Sequence, residues 1–489
     1  MQVGETLAMA YESGNAHDSD DSHTTLSDIA VGVVIGRTSE FFDFFVFALA
    51  SVLVFPRVMF PFTSALDGVL WSFVIFALAF VARPFGTVIF MEIDRRWGRG
   101  IKLTSALFLL GCATAGIAFT PDYSVAGGYA IVILCIMRIA QGLALGGTWD
   151  GLASLLAMNA PQNERGWYAM IPQLGAPLGL FVASALFIYL ITGMSQEEFL
   201  DWGWRYPFFV AFAINVVALF ARLRIVVSRE YQDQFQTLDL VPAGARETIE
   251  AEGVNILIGA FTPLATFALF HMVTLFPMSW VYLETRESMP AFLAIEIGTS
   301  LICLAAIFGS GALADRFGRR KLLIVCAVAI GIFALVAPVL LNGGQVGEFL
   351  YMVIGFTLLG FSFGQSSGAV ASRFTQRYRY TASALTSDLA WLFGAGFAPL
   401  VALLLATRLG IGSSGAYLLS GAVCTVVALL ASHRPDVLHT HNPKPGVWYP
   451  RHLGFLGAQQ PALTGLKAVN FAGGQDGYVT FSAEYKVVS

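Results

Sequence analysis

Residues 311–320 read Gly311-Ala312-Leu313-Ala314-Asp315-Arg316-Phe317-Gly318-Arg319-Arg320. An apolar run closes here on an acid, a base, a glycine and two further bases. The same order stands 221 positions earlier as Asp94-Arg95-Arg96-Trp97-Gly98-Arg99. A second pair of related stretches, Gly175-Ala176-Pro177-Leu178-Gly179 and Gly394-Ala395-Gly396-Phe397-Ala398-Pro399, recurs at nearly the same offset. The chain therefore consists of two related halves.

The composition around these stretches is that of a lipid-embedded chain. Of 489 residues, 56% are apolar and only 12% charged, about half the charged share of a soluble globular protein. Forty-one Phe and forty-nine Gly fit the same setting, because Gly lets transmembrane helices approach closely. Mean hydropathy is +0.69 over the whole chain. A spanning helix needs about 20 mostly apolar residues, and such runs occur at 29–55, 68–91, 102–119, 127–150, 166–191, 205–226, 254–281, 290–313, 322–341, 348–371, 381–407 and 414–432. The expected fold is an all-α polytopic membrane protein, with twelve transmembrane helices in two pseudo-symmetric six-helix halves. Its expected organisation is an acidic disordered tail at 1–28, an N-terminal half at 29–226 and a linker at 227–253. A C-terminal half at 254–432 and a tail at 433–489 complete it.

Lys and Arg beside the spans set orientation. With the N-terminus inside, the inner loops hold Arg95, Arg96, Arg99, Arg165, Arg316, Arg319, Arg320, Lys321 and others, whereas the outer side holds only Arg57, Arg205, Arg286 and Arg408. Both termini are expected in the cytoplasm. The first 36 residues lack Lys and Arg, so a secretory signal with a basic n-region is not expected. The five cysteines lie in apolar runs without a CxxC pair and read as apolar filler. A net charge of −4 gives nucleic-acid binding no electrostatic support. No GxxxxGK[ST] loop occurs, so uphill transport would draw on an ion gradient. No cofactor is called for, and a monomer is expected.

These residues resemble the major facilitator superfamily over about 29–432, with 311–320 matching its signature loop at every defining position. Within that superfamily four stretches resemble the metabolite:proton symporters. They are Gly36-Arg37-Thr38-Ser39-Glu40-Phe41-Phe42-Asp43-Phe44, the run from Arg138 through Gln141, Gly142 and Gly146 to Trp149, the run from Arg165 through Gln173 to Gly179, and Trp202-Gly203-Trp204-Arg205-Tyr206-Pro207-Phe208. The resemblance implies proton-coupled uptake of small organic metabolites across a bacterial inner membrane. The chain departs from that pattern at Thr148, where Glu is usual, at Asp150 and Met91, where Gly is usual, at Arg95, where Asp is usual, and at Arg37.

Ionisable groups at bilayer depth are costly and usually face a cavity or a partner. Arg37, Glu40 and Asp43 recur at a spacing of three along span one. Asp43, Glu40 and, in span eleven, Asp388 are the candidate proton carriers. Arg138 in span four offers a planar fork for a carboxylate, and the reading pairs it with Asp43 in the empty carrier. Arg37, Gln141 and Gln173 join Arg138 as substrate-binding candidates. The gating candidates are Asp94, Arg95, Arg99 and Asp150 in the first half, and Gly311, Asp315, Arg316, Gly318, Arg319 and Arg320 in the second. Asp315 is expected to cap a helix N-terminus or to pair with a nearby Arg. His271 reads as a core residue, and the Phe cluster of span one as helix contact with no substrate cage.

The function that follows is proton-coupled uptake of a small organic metabolite, a carboxylate or zwitterion. A passive facilitator or exporter of the same fold and a non-transporting membrane sensor are the alternatives. No nucleophile–base pair or metal cluster suggests an enzyme. The orientation is open to direct test: a fluorescent protein fused after Ser432 should fluoresce in cells, and alkaline phosphatase at the same position should stay inactive. The reverse pattern would overturn it.

Overall fold

The computed structural model describes residues 26–148, 156, 160–161, 163–226, 241–285, 287–366 and 374–431. Asp150, both tails beyond these limits and residues 227–240 of the expected linker lie outside the described residues. Among those described there is no strand. The first half comprises α1 (Leu26–Leu53), α2 (Ala65–Trp97), α3 (Arg99–Ala118), α4 (Gly128–Gly147), α5 (Arg165–Gly193) and α6 (Tyr206–Val226). The second comprises α7 (Leu264–Glu284), α8 (Met289–Phe317), α9 (Arg319–Leu341), α10 (Gly344–Ser366), α11 (Arg379–Leu409) and α12 (Ser414–Ala431). Eleven of the twelve are long and apolar enough to cross a membrane by length and composition. The twelfth, α1, carries Arg37, Glu40 and Asp43 in its middle.

The helices extend past the apolar runs at the signature loops. α2 runs to Trp97 and α8 to Phe317, because a charged side chain ends an apolar stretch without ending the backbone ladder. What ends the ladder is glycine. Gly98 and Gly318 sit at φ +86° and +88°, a left-handed conformation that other residues rarely adopt. Each joins two helices through a single residue, so the neighbouring acid is held at a fixed place relative to both. A further helix, Ala245–Phe261, begins within the expected linker and leads into α7.

α7 is the most enclosed element. In its most apolar window 94% of residues are buried, against 44–56% in the other ten spans, so α7 has protein on every side while the others keep an outward apolar face. Exposed apolar residues such as Phe108, Val132, Phe220, Val325 and Leu335 mark that face, as does Cys112 on α3. Cys112 thus departs from the reading of all five cysteines as buried filler. Only Cys303 and Cys326 are buried. Both long repeat helices carry an irregular turn at the repeated Gly-Ala-Pro stretch. α5 tightens to a 3₁₀ turn at Ile171–Leu174, and α11 widens to a π turn at Leu392–Gly396. Pro172 and Pro399, which lack an N–H, lie in or just after these turns.

Close helix contact in the first half runs through small residues. Gly142 and Gly146 of α4 press on the backbone of α2 at Ala79 and Arg83, with no room for a Cβ. At the other end of α4, Arg205 fastens the start of α6 to the α3–α4 connection. It donates to Asp122 Oδ1 at 2.8 Å and the Thr120 carbonyl at 3.1 Å, and its guanidinium lies 4.3 Å from the Trp204 ring centre. Overpacking of this kind costs about 1–3 kcal/mol. Gly142→Leu should therefore lower the melting temperature of the purified protein by several degrees, whereas Gly412→Ala, into open space, should leave it unchanged.

Candidate functional site

Three carboxylates and four arginines meet in the interior, each drawn from a different turn of a helix. Glu40 on α1 lies between two guanidiniums. Arg37 Nη1 donates to Oε2 at 2.8 Å, and Arg222 Nη1 on α6 donates to Oε1 at 2.6 Å. Asp388 on α11 receives Arg83 Nε of α2 at 2.7 Å, and the Thr87 hydroxyl donates to its second oxygen. This ion pair crosses between the two halves.

Asp43 is treated differently. The Thr114 hydroxyl of α3 lies 2.9 and 3.1 Å from its two oxygens, and Gln141 Nε2 of α4 reaches Oδ2 at 3.4 Å. Gln141 also donates to Thr114 Oγ1 at 2.9 Å and accepts from Arg138 Nη1 at 3.0 Å. Arg138 and Gln141, three apart on one helix face, thus form a relay toward Asp43. The direct Asp43–Arg138 ion pair expected from the sequence is absent, because the Gln141 amide stands between them. Arg138 is held instead by the Phe76 carbonyl, 3.3 Å from Nε and 3.4 Å from Nη2, and by the face of Phe47, whose centre lies 3.9 Å from its guanidinium carbon. Asp43, Arg138 and Gln141 are only 3%, 1% and 1% exposed.

Next to this network lies a cavity of about 30 Å³, lined by Arg37, Glu40, Arg83 and the rings of Phe41, Phe44, Phe80 and Trp391. Such a volume holds about two waters. The span-one phenylalanines are therefore not helix contact alone: two of them wall the charged pocket. Trp391 packs against Phe267 with centroids 4.5 Å apart and against Phe270 at 5.2 Å. His271 is enclosed by Phe44, Phe76, Phe80 and Phe270, with Nδ1 3.3 Å from the Thr274 hydroxyl. Gln173, also buried, lies in the 3₁₀ turn of α5.

Contacts between halves close the pocket at both ends. At the signature-loop end, Asp315 accepts from the backbone N–H of Gly166 at 2.5 Å and of Trp167 at 3.0 Å, in the first turn of α5. An anion is favoured there by the unsatisfied amides and the helix dipole. Gly166 admits no Cβ without overlap on Gly311, Ala314 and Asp315. Gln365 of α10 donates to the Gly166 carbonyl at 3.0 Å, and Arg319 donates to the Arg165 carbonyl at 3.2 Å. The repeat-related contact is built from side chains. Asp94 meets Lys102 Nζ at 3.3 Å and Arg99 Nε at 3.7 Å, and Lys102 donates to the Tyr380 hydroxyl of α11 at 3.0 Å. At the opposite end, Arg57 Nε donates to the Tyr282 hydroxyl at 3.0 Å, and the Ser184 hydroxyl donates to Glu296 Oε2 at 3.1 Å.

Of the remaining gating candidates Gly311 packs across the halves, whereas the bases stay within their own half. Arg95 pairs with Glu92, Arg316 stacks on its neighbour Phe317, and Arg320 donates to the Leu429 carbonyl. Gly311 packs against Trp167 and Met170, and Gly318 makes the turn. Reasoning from sequence missed Arg83, Thr114, Arg222 and Glu296. Arg83 was the most accessible to it, being a base inside an apolar span. Arg222, at a span end, counts in the sequence as one more inner-loop base, and Thr114 gives no signal that sets it apart from other span hydroxyls.

Among the described residues, twelve long helices in two repeated halves closed at both ends over a buried charged pocket have the architecture of a membrane carrier. The chain belongs to the Major Facilitator Superfamily, which it matches over residues 38–387. It is 34% identical to the inner membrane metabolite transport protein YhjE of Escherichia coli, over 85% of this chain and 97% of that protein. It is 34% identical to a putative metabolite transport protein of Haemophilus influenzae, over 83% and 95%, and 29% identical to the shikimate transporter of Escherichia coli, over 82% and 93%. Among solved structures it shares its fold with the proton:xylose symporter XylE bound to 6-bromo-6-deoxy-D-glucose, at a TM-score of 0.65 and 18% identity, over 83% of this chain and 95% of that one. The protein is a multi-pass membrane transporter of metabolites.

A neutral amide at position 315 keeps one acceptor for the two α5 amides and loses the charge that the helix end favours. Asp315→Asn should therefore lower transport several-fold at near-normal expression, measured as initial uptake per carrier. Unchanged kinetics would remove Asp315 from the closing contact.

Proposed function

We propose that this carrier is a proton symporter of the bacterial cytoplasmic membrane, with both termini inside, acting as a monomer. It takes up small organic metabolites that bear a carboxylate. The observation that carries this reading is the contrast among the three core carboxylates. Glu40 and Asp388 each have an arginine within 2.8 Å, and a carboxylate so paired holds its charge. Asp43 has neutral groups beside it, the Thr114 hydroxyl and the amides of Gln141 and Asn215, with the nearest guanidinium one residue removed through Gln141. An ionised carboxylate buried with neutral partners alone costs several kcal/mol, so Asp43 is the group for which gaining and losing a proton is least opposed.

The relay gives that proton a consequence. Ionised Asp43 orients the Gln141 amide, whose oxygen in turn holds Arg138. Protonation weakens the Gln141–Asp43 contact and frees the Arg138 fork for a substrate carboxylate, so proton and substrate favour each other's binding, as linkage requires. Arg37 at the cavity wall is a second base for the anion, and Gln173 a further polar contact. The names of two relatives, a shikimate transporter and the proline/betaine transporter of Escherichia coli, each specify a molecule with a carboxylate, which supports this class. The opening of Asp94, Arg99 and Asp315 contacts at the inner end, and of the opposite contacts in turn, would expose the pocket alternately.

In proteoliposomes, Asp43→Asn should still exchange substrate across the membrane but fail to accumulate it under an imposed pH gradient. Arg138→Lys should raise KM tenfold or more, because an ammonium cannot reproduce the two-pronged contact. The facilitator alternative rests on Thr148, which stands where relatives of the symporter type carry Glu and whose hydroxyl bonds the Leu145 carbonyl at the end of α4. Wild-type flux indifferent to the pH gradient would establish that alternative, and pH-driven accumulation by Asp43→Asn would move the proton site elsewhere.

A further inference from the structure

Glu296 takes no part in the network around Asp43, yet it is completely buried. It lies seven residues into α8, about 10 Å from the helix start at 1.5 Å per residue, in the half of the bundle away from the signature loops. Its Oε2 accepts one hydrogen bond, from the Ser184 hydroxyl of α5 in the other half, and its Oε1 has no protein partner among the described residues. Phe292 and Leu293, a turn before it on α8, and Ala183 and Phe187, next to Ser184 along α5, are buried as well.

No charge among the described residues compensates it. α5 carries no charged side chain beyond Arg165 at its far end, and its Tyr189 is exposed. On α10, the Tyr351 hydroxyl donates to the Met272 carbonyl, while Glu348 sits by Glu287 near the helix start. On α7, His271 is enclosed by rings, Tyr282 takes Arg57 and Glu284 is exposed. The basic residues of α9, Arg319, Arg320 and Lys321, are at the opposite end of the bundle. On α8 itself Asp315 and Arg316 are likewise at that far end. Among the described residues the Ser184 hydroxyl is the one hydrogen-bond partner of the Glu296 carboxyl.

We infer that Glu296 is a second proton-binding site of the carrier, and that the proton it holds keeps α5 and α8 together at the end of the bundle away from the signature loops. With that end closed, an ionised carboxylate would have one hydrogen bond and no counter-charge, a state strongly disfavoured in an apolar interior. The carboxyl is therefore neutral there. When the halves part at that end, water reaches the carboxyl and its charge is solvated. Opening thus releases the proton, and by linkage a rise in pH favours opening. This follows from alternating access alone and stands whether or not Asp43 carries the coupled proton.

The test uses the full-length protein with its native cysteines replaced by serine and spin labels at Val125→Cys and Val346→Cys, exposed positions in opposite halves at that end. In the otherwise wild-type protein the distance between labels should lengthen as pH rises. Asp43→Asn should keep that response, which separates this inference from the coupling scheme. Glu296→Gln should hold the labels close at every pH. It should also lack the protonated-carboxyl infrared band that Asp43→Asn retains. Ser184→Ala, which removes the hydrogen bond that ties Glu296 to α5 in the closed state, should move the transition to lower pH. A pH-independent distance in the wild-type background, a wild-type pH response in Glu296→Gln, or an unchanged carboxyl band in that variant would overturn the assignment.

Discussion

The interior of this protein is organised by the cost of charge in a medium that cannot solvate it. Seven ionisable side chains lie around the central pocket, and removing one member of a buried pair typically costs about 3–5 kcal/mol. Each must find its compensation inside the protein, and this requirement dictates which helices touch. Arg222 brings α6 onto α1 through Glu40, and Arg83 brings α2 onto α11 through Asp388. The Asp43 relay gathers α1, α3 and α4. The helix arrangement can be read as the set of neighbours these charges need.

Aromatic rings supply the low-polarity surroundings that make the charge arithmetic strict. Phe44, Phe76, Phe80, Phe270 and Trp391 form a continuous layer from the first half to the second, with α7 enclosed behind it. The pocket between this layer and the arginines is too small for a metabolite. With contacts between halves at both ends, the protein stands in an occluded state, and either end must open before substrate can enter. Small residues let the seams close this tightly, and the charged turns fix where the seams end.

Much of this was legible in the sequence. The twelve apolar runs, the repeat and the signature loops define the architecture, because lipid imposes a length and composition that no alternative fold satisfies. The acids of span one and Arg138 were legible as well, since a charge amid apolar residues stands out. The partners were not. Nothing in a linear chain connects Asp388 to Arg83, 305 positions away, or Thr114 to Asp43, and a spacing of three between Arg138 and Gln141 does not reveal that the amide will intervene between the base and Asp43. Glu296 and Arg83 were visible as charges within spans, but what matters about each, a counter-charge missing in one case and supplied from the other half in the second, exists only in three dimensions.

The two signature turns differ by one residue, Asp-Arg-Arg-Trp-Gly against Asp-Arg-Phe-Gly, and that residue turns the first acid by about 100° on its helix. Arg95 consequently stands where the second turn has its acid, and Asp94 faces inward to Lys102 and Arg99, with Tyr380 beside them. Asp315 binds main-chain amides, which every amino acid except proline supplies. Genetic drift can scarcely delete those partners, although it can crowd them at Gly166. Asp94 depends on side chains that a single codon change can remove. The duplicated halves have thus acquired one latch whose receptor is written into the backbone and another whose receptor must be preserved by selection, so the two should diverge at unequal rates among descendants of this chain.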